Sequence, residues 1–229
     1  MHVHCRHDRP PFLRQYRSIF RPEVYITVGL DLQQHLDELA GKPSSKGTNV
    51  LFLVEHTPVY TVGLRNQQYS HEDAFRLKSL GAEYYKTNRG GLITFHGPGQ
   101  LVAYPVLNLQ HFKPSMKWYI SALENTLIKT CQKFGITART TADTGVWVED
   151  RKIASIGVHG SRFVTTHGCS LNSNIDLNWY KHIIPCGLHG KEVTSLTKET
   201  GQEAQVHLQL FRCYSIILVH AVKTGTQTC

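Results

Sequence analysis

Apolar residues along the chain occur both as continuous runs and as helical stripes. The run at residues 50–54 is apolar throughout, which predicts a buried strand, and residues 59–62 are predicted to continue it after a break at Pro58. Residues 145–148 and 153–158 form two short apolar runs joined by four charged residues, which predicts a hairpin. Further strands are predicted at residues 92–95, 101–107 and 163–171, and Pro105 suggests an edge or a bulge.

The helical stripes carry start and stop signals of their own. Ser70 and Asp73 offer a capping box for a short helix that ends before Gly81, and Ser115 offers a cap for a long helix that ends at Gly135. Less regular stripes predict helices within residues 24–39 and 203–222. Because helices and strands mix without a strict βαβ rhythm, we expect an α/β (α+β) fold, a mixed sheet with packed helices.

Composition narrows the class of protein. The 229 residues are 41% hydrophobic, which suits one soluble domain, and no run of 18 apolar residues predicts a membrane span. The formal net charge of +8 favours acidic partners such as nucleic acid or an acidic carrier protein. A nucleic-acid-binding module explains that charge only, since no face interleaves basic and aromatic residues, and we expect no nucleic-acid partner.

The N-terminal segment differs from the rest. Residues 1–21 hold five arginines and one acidic residue, Asp8, which is the composition of a mitochondrial presequence or of a disordered basic tail. We therefore expect residues 22–229 to form a single domain.

Six cysteines and fourteen histidines form no zinc-binding spacing. No Cys-x-x-Cys pair and no His-Glu-x-x-His motif occurs, so neither a metal site nor a cofactor is predicted. A reducing compartment fits this cysteine pattern better than secretion does.

Residues 89–100 are the most distinctive stretch of the chain. Four glycines and a proline surround the strand predicted at residues 92–95, and glycine lets the backbone approach a ligand closely. Arg89 brings a planar fork of donors, and His96 follows the strand where its ring could turn into a cleft. A pair of structural turns remains the alternative, and the stretch is neither a Walker A loop nor Gly-x-Gly-x-x-Gly.

Two residues farther along could carry chemistry. Lys152 opens the second strand of the hairpin beside small apolar residues, where an ammonium could be partly desolvated; the alternative is a surface lysine. Cys186, between a proline and a glycine, would present its thiol on a rigid turn; the alternative is an inert core cysteine. His167 and Cys169 allow a Cys–His hydrolase in principle, but no thiol-protease signature surrounds them.

Six short motifs then follow one another in a fixed order. They are Arg89-Gly90-Gly91 with Thr94, His96-Gly97-Pro98-Gly99-Gln100, Thr144-Gly145-Val146-Trp147, Lys152-Ile153-Ala154, His167-Gly168 with Leu171-Asn172, and Pro185-Cys186-Gly187-Leu188. This series closely resembles the lipoyl(octanoyl) transferases, the mitochondrial form included, over residues 50–200. The sequence departs from that family at Cys169 and Ser170, where small or branched aliphatic residues are usual.

The resemblance implies an enzyme of protein lipoylation in mitochondria with a biotin/lipoate protein ligase-like catalytic domain. Octanoyl-acyl carrier protein would be the donor, and lipoyl domains of 2-oxoacid dehydrogenase complexes and the glycine-cleavage carrier protein would be the acceptors. Cys186 would carry the acyl thioester and Lys152 would be its acid/base. The acyl site would be lined by Arg89, Gly90, Gly91, Leu92, Ile93, Thr94, Phe95, His96, Ser155, Ile156, Gly157, Gly168, Cys169 and Ser170.

One alternative shares much of this pattern. An ATP-dependent lipoate or biotin ligase has the Arg-Gly-Gly and lysine motifs, but it activates its acid as an adenylate and needs no cysteine. The Pro185-Cys186-Gly187 motif therefore favours the transferase.

Overall fold

The chain folds into two sheets with helices packed against them. The computed structural model describes residues 16–24, 49–187 and 190–204. Its strands are β1 Tyr16–Val24, β2 Asn49–His56, β3 Val59–Val62, β4 Glu83–Lys86, β5 Thr94–His96, β6 Gln100–Val106, β7 Val146–Val148, β8 Arg151–Ser161, β9 Val164–Asn172 and β10 Glu192–Val193. The α-helices are α1 His71–Ser79, α2 Met116–Gln132 and α3 Leu196–Thr200, and short 3-10 helices cover Leu109–His111, Leu177–His182 and Pro185–Gly187.

The larger sheet mixes parallel and antiparallel pairs. Within the described residues its strand order is β1-β2-β6-β9-β8-β10, and β7 also pairs with β8. The β1–β2 and β8–β10 pairs are parallel, whereas β2–β6, β6–β9, β8–β9 and β7–β8 are antiparallel. This arrangement confirms the predicted mixed sheet with packed helices.

The smaller sheet has the order β4-β3-β5. Residues 59–62 were predicted to continue the strand at residues 50–54, and this is wrong: they form β3, in a different sheet. The chain bends at Thr57 and Pro58, and the Pro58 carbonyl accepts a hydrogen bond from the Glu83 amide at 2.9 Å. That bond fixes the start of β4 beside β3, away from β2.

Local capping signals place both long helices. The Ser70 hydroxyl accepts from the Asp73 amide and the Asp73 carboxylate accepts from the Ser70 amide, which completes the predicted capping box of α1. The Ser115 hydroxyl accepts from the Trp118 amide at the start of α2. The helices predicted within residues 24–39 and 203–222 lie, apart from their first residues, outside the described residues.

Strand β1 pairs in parallel with β2, from Tyr16 opposite Asn49 onward. It crosses the predicted boundary at residue 21. The division of the chain into 1–21 and 22–229 stays a prediction.

Both faces of the β2–β6 region are buried. Leu51 and Leu53 face a core that includes Leu123 and Leu127 of α2, whereas Phe52 belongs to a separate apolar cluster. Continuous apolar runs are expected of strands covered on both faces.

Pro105 was predicted to mark an edge or a bulge, but β6 lies between β2 and β9. The β6–β9 ladder runs from Gln100 only to Ala103, so Pro105 falls beyond its last pair. The missing amide hydrogen therefore costs no hydrogen bond to β9.

Within the described residues, no helix is long and apolar enough to cross a membrane.

Candidate active site

A cleft opens between the two sheets where β5, β8 and β9 come together. The cleft is open to solvent, and its volume is about 50 Å³. Of the residues expected at the site, those lining the cleft are Arg89, Gly91, Thr94, His96, Ser155, Ile156, Gly157, Gly168, Cys169, Ser170 and Cys186. Four separate stretches of sequence thus share one cavity.

Four other residues expected at the site lie behind the cleft wall. The Gly90 amide donates to the Val158 carbonyl at 2.9 Å, and the Ile93 carbonyl accepts from the Cys186 amide at 2.9 Å. Leu92 packs against Gly187, since a Cβ on Gly187 would lie 2.4 Å from Leu92 Cδ1. Phe95 is buried and stacks on Trp179 with ring centroids 4.9 Å apart. These residues shape and support the cleft rather than line it.

Cys186 sits in a left-handed backbone conformation, with φ of 56° and ψ of 17°. Residues other than glycine adopt this region rarely, and such strain is concentrated at functional sites. The bond from its amide to the Ile93 carbonyl and the bond from the Gly187 amide to the Ile184 carbonyl, at 3.0 Å, hold the turn. The side chain is half-buried and borders the cleft.

The other two cysteines in the described part of the chain, Cys131 and Cys169, are both buried. Cys169 lines the cleft, but burial raises the pKa of its thiol to about 12. A thiol of that pKa is not a nucleophile near neutral pH, because only the thiolate attacks. Cys186 is therefore the most accessible thiol of the three described cysteines.

Lys152 is buried but does not line the cleft that Cys186 borders. Register places Trp147 opposite Lys152 and Val146 opposite Ala154, so Ile153 is the extra residue of a bulge in β8. Lys152 Nζ lies 5.4 Å from the centroid of the Trp147 ring, a cation–π distance. Gly145 makes room for this side chain, since a Cβ there would lie 2.6 Å from Lys152 Cε.

Arg89 is a buried cation that crosses from the smaller sheet toward β8. Its Nη2 donates to the carbonyl and the hydroxyl of Thr61, at 2.7 and 2.9 Å, and its Nη1 donates to the Gly90 carbonyl at 2.9 Å. Among the described residues, it forms no ion pair with a carboxylate. Burial lowers the pKa of the guanidinium, and the Coulomb interaction with Cys186 is the largest effect that raises it. Arginine remains charged throughout the working pH range.

Two histidines in the cleft are neutral near pH 7. Burial is the main reason that the pKa of His96 falls to about 3, and burial likewise lowers the pKa of His167 to about 3. Nearby Arg89 contributes to both shifts by repelling a second positive charge. Among the described residues that line the cleft, Arg89 is thus the positively charged one near pH 7.

A buried polar network under the cleft is centred on Gln100. Its Oε1 accepts from His96 Nδ1 at 2.6 Å, and its Nε2 lies 2.9 Å from Asn172 Oδ1 and 2.8 Å from the Tyr180 hydroxyl. Asn172 Nδ2 donates to the Thr194 carbonyl at 2.9 Å. The network therefore ties His96 to the segment that leads into Cys186, and to the strand beside Lys152.

Sequence reasoning did not place five other residues in the cleft. They are Thr61, Thr87, Val102, Tyr104 and His167. His167 belongs to the His167-Gly168 motif, so the sequence does carry a signal that could have placed it at the site. The other four lie in strands or connections where nothing in the local sequence marks a side chain as facing a cavity. No group of three or more potential metal ligands occurs among the described residues.

Comparison with known proteins defines the family. The profile of the lipoyl protein ligase A/B catalytic domain matches residues 27–209 of the chain. The chain belongs to this family.

Curated relatives narrow the activity. The chain is 56% identical over 168 residues to the mitochondrial octanoyl-acyl-carrier-protein:protein N-octanoyltransferase LIPT2 of Danio rerio, covering 73% of each chain. It is 49% identical over 167 residues to the protein of the same name from Xenopus tropicalis, covering 73% of this chain and 70% of the relative. These relatives confirm the expected class, an acyltransferase of protein lipoylation, and the expected mitochondrial location.

The fold is shared more widely than the sequence. A bipartite lipoate protein ligase from Thermoplasma acidophilum superposes with a TM-score of 0.68 at 16% identity, covering 89% of this chain and 83% of the ligase. At that identity the likeness concerns the fold alone. It confirms the predicted lipoate ligase-like catalytic domain.

Proposed function

We propose that the chain transfers an octanoyl group from octanoyl-acyl carrier protein to a lysine of a lipoyl domain through a thioester on Cys186. The observation that carries the proposal is the half-buried Cys186 thiol at the cleft, held on a strained turn, while the other described cysteines are buried. A nucleophile must be both accessible and ionisable, and Cys186 meets the first condition by its position.

The reaction proceeds in two exchanges. The Cys186 thiolate attacks the carbonyl carbon of the donor thioester, and the carrier's thiolate leaves and takes up a proton. The ε-amine of the acceptor lysine then attacks the Cys186 thioester, loses its proton, and releases Cys186 with formation of the amide. One thioester replaces another in the first exchange, so no nucleotide is consumed.

Lys152 is the proposed acid/base of this cycle. Lys152 is buried beside Trp147, on the strand next to β9, and its amine is a group that can accept a proton from the incoming lysine. Because Lys152 does not line the cleft, its proposed role requires that Nζ moves toward Cys186.

The acyl chain and the protein partners follow from the same proposal. Ile156 and Val102 offer apolar contact to an octanoyl chain inside the cleft. The proposed acceptors are the lipoyl domains of 2-oxoacid dehydrogenase complexes and the glycine-cleavage carrier protein. The net charge of +8 would attract acidic donor and acceptor domains.

The test is the intact mass of the purified protein after incubation with octanoyl-acyl carrier protein. We expect a mass increase of one octanoyl group, which is lost in Cys186→Ser and retained in Cys131→Ala. An adduct that persists in Cys186→Ser, or that maps to Cys169, would overturn the assignment.

A second arm separates the transferase from a ligase. Transfer to a lipoyl domain should run without ATP when the octanoyl thioester is supplied. Activity with free octanoate and ATP, together with inactivity on the thioester, would instead establish a ligase.

A further inference from the structure

Two hydrogen-bond donors of the cleft have no partner among the described residues. They are the hydroxyl of Thr94 and the Nε of Arg89, and both atoms are buried. Both side chains line the cleft, and each residue is less than 10% exposed. Buried polar groups are almost always hydrogen-bonded, so these two donors are available to an oxygen atom of water or of a ligand in the cleft.

The backbone donor nearest to the nucleophile is already occupied. A nucleophile's own amide is a ready donor to the oxyanion that forms in acyl transfer. In this chain the Cys186 amide instead donates to the Ile93 carbonyl at 2.9 Å. The developing negative charge must therefore be met by other groups.

Thr94 and Arg89 converge through a shared neighbour, Thr61. Strand register places Thr61 directly opposite Thr94, so the two side chains lie on the same face about 5 Å apart. The Arg89 guanidinium donates to Thr61 at 2.7 and 2.9 Å. Thr94 also directly follows Ile93, whose carbonyl holds the Cys186 amide. Thr94 is thus one residue from the contact that holds Cys186, and Arg89 bonds to the residue directly opposite Thr94.

The charge of the cleft suits an anion. Arg89 is positive, whereas His96 and His167 are neutral near pH 7. No carboxylate lies among the described residues that line the cleft. An oxyanion would thus meet one buried cation without a competing anionic side chain.

We propose that the Thr94 hydroxyl and Arg89 Nε donate hydrogen bonds to the carbonyl oxygen of the acyl group during transfer. The inference rests on the proposed function, since it assigns the oxyanion site of that reaction. When the Cys186 thiolate adds to the carbonyl carbon, the C=O π pair moves onto oxygen, where these donors stabilise it. The pair returns as the C–S bond to the carrier breaks and the carrier leaves as a thiolate.

Thr94→Val is the decisive variant. It replaces the hydroxyl by a methyl group of nearly the same shape, and the lost hydroxyl has no protein partner, so the fold should not be destabilised. Octanoyl transfer from octanoyl-acyl carrier protein should fall by on the order of 100-fold, as for removal of one oxyanion donor. Thr94→Ser keeps the hydroxyl and should retain most of the rate.

Thr57→Val is the matched control. The Thr57 hydroxyl is likewise buried without a described partner, but Thr57 does not line the cleft. Its loss should leave transfer unchanged.

The rate at which iodoacetamide alkylates Cys186 separates the two possible roles of Thr94. If Thr94 only positioned the thiol, its loss would slow alkylation as well as transfer. This displacement at saturated carbon develops no oxyanion. Thr94→Val should therefore alkylate at the wild-type rate while transferring slowly. A parallel loss in both reactions would mean that Thr94 positions the thiol and would overturn the proposal.

Arg89→Lys provides the second variant. It keeps a positive charge but removes Nε, and we expect slower transfer with alkylation less affected. Wild-type transfer in both Thr94→Val and Arg89→Lys would exclude the oxyanion site. A wild-type protein that transfers no octanoyl group at all would instead count against the proposed function, so the two failures are distinguishable.

Discussion

Cys186, the proposed nucleophile, lies on a strained turn. The φ of 56° at Cys186 places a side chain where glycine is favoured, at a cost of about 1–3 kcal/mol. The turn keeps this geometry because Ile93 accepts from the amide of Cys186 itself and Ile184 accepts from the following amide. The turn therefore keeps the thiol at the cleft, where the proposed reaction requires it.

Lys152 is the other residue whose role can be tested directly. Its expected function is to take a proton from the acceptor amine, so Lys152→Arg should keep a positive charge but fail in this step, because arginine does not deprotonate. We expect the acyl-enzyme to form while its discharge to a lipoyl domain slows by about 10²–10⁴-fold. Single-turnover mass spectrometry, with formation and chase measured separately, resolves the two steps.

Lys117→Ala, at an exposed position of α2, is the control and should discharge normally. If Lys152→Arg discharged at the wild-type rate, Lys152 would be a packing partner of Trp147 and nothing more.

At the scale of elements, Gln100 joins strands and connections that would otherwise meet only through apolar contacts. It is fully buried, and its amide bonds to His96, Asn172 and Tyr180. Gln100→Leu keeps the approximate volume but leaves these polar groups short of partners. Each buried group left unsatisfied costs about 1–3 kcal/mol, so the variant should be destabilised by at least that much.

Urea unfolding measures this loss. Gln110→Leu makes the same substitution at an exposed position and should change the free energy of unfolding by less than about 0.5 kcal/mol. If the two variants were equally stable, water or rearranged side chains would be forming the hydrogen bonds that Gln100 forms in the wild type.

Elements whose signals are local could be predicted from the sequence, and those that depend on pairing could not. Ser70 and Ser115 cap their helices through atoms three residues away, so the sequence alone carries the signal. The assignment of residues 59–62 to a second sheet depends on the partner strand that begins at Glu83. The bulge at Ile153 depends in the same way on the register between β7 and β8.

In the candidate site as well, residues with a local sequence signal could be predicted and residues placed by packing could not. Glycine-rich and cysteine motifs pointed to Arg89, Gly168 and Cys186, because unusual backbone or reactive chemistry leaves a mark in the sequence. Thr61 and Tyr104 carry no such mark, and only the packing of two sheets turns them toward the cavity. Strand alternation predicts which residues share a face, but not what covers that face.

At the scale of the whole molecule, the cleft places uncharged histidines inside the fold, and this should make stability depend on pH. The pKa values of His96 and His167 are about 3 in the folded chain, against about 6.5 in an unfolded chain. As the pH falls through 6.5 the unfolded state takes up protons that the folded state cannot. The histidines thus stabilise the fold fully above about pH 6.5, and this contribution is lost progressively toward pH 3.

Between pH 6 and pH 5 we therefore expect the free energy of unfolding to decrease by roughly 1.4 kcal/mol per pH unit for each of the two histidines. Carboxylates with lowered pKa values, Asp73 and Glu199, contribute mainly below about pH 5, because an unfolded carboxyl titrates near 4. Urea unfolding across this range, compared with His167→Gln and with the exposed His111→Gln, isolates the effect. The slope should fall by about half in His167→Gln and stay unchanged in His111→Gln. An unchanged slope in His167→Gln would show that His167 takes up its proton in the folded chain, and would put a second positive charge beside Arg89 in the cleft.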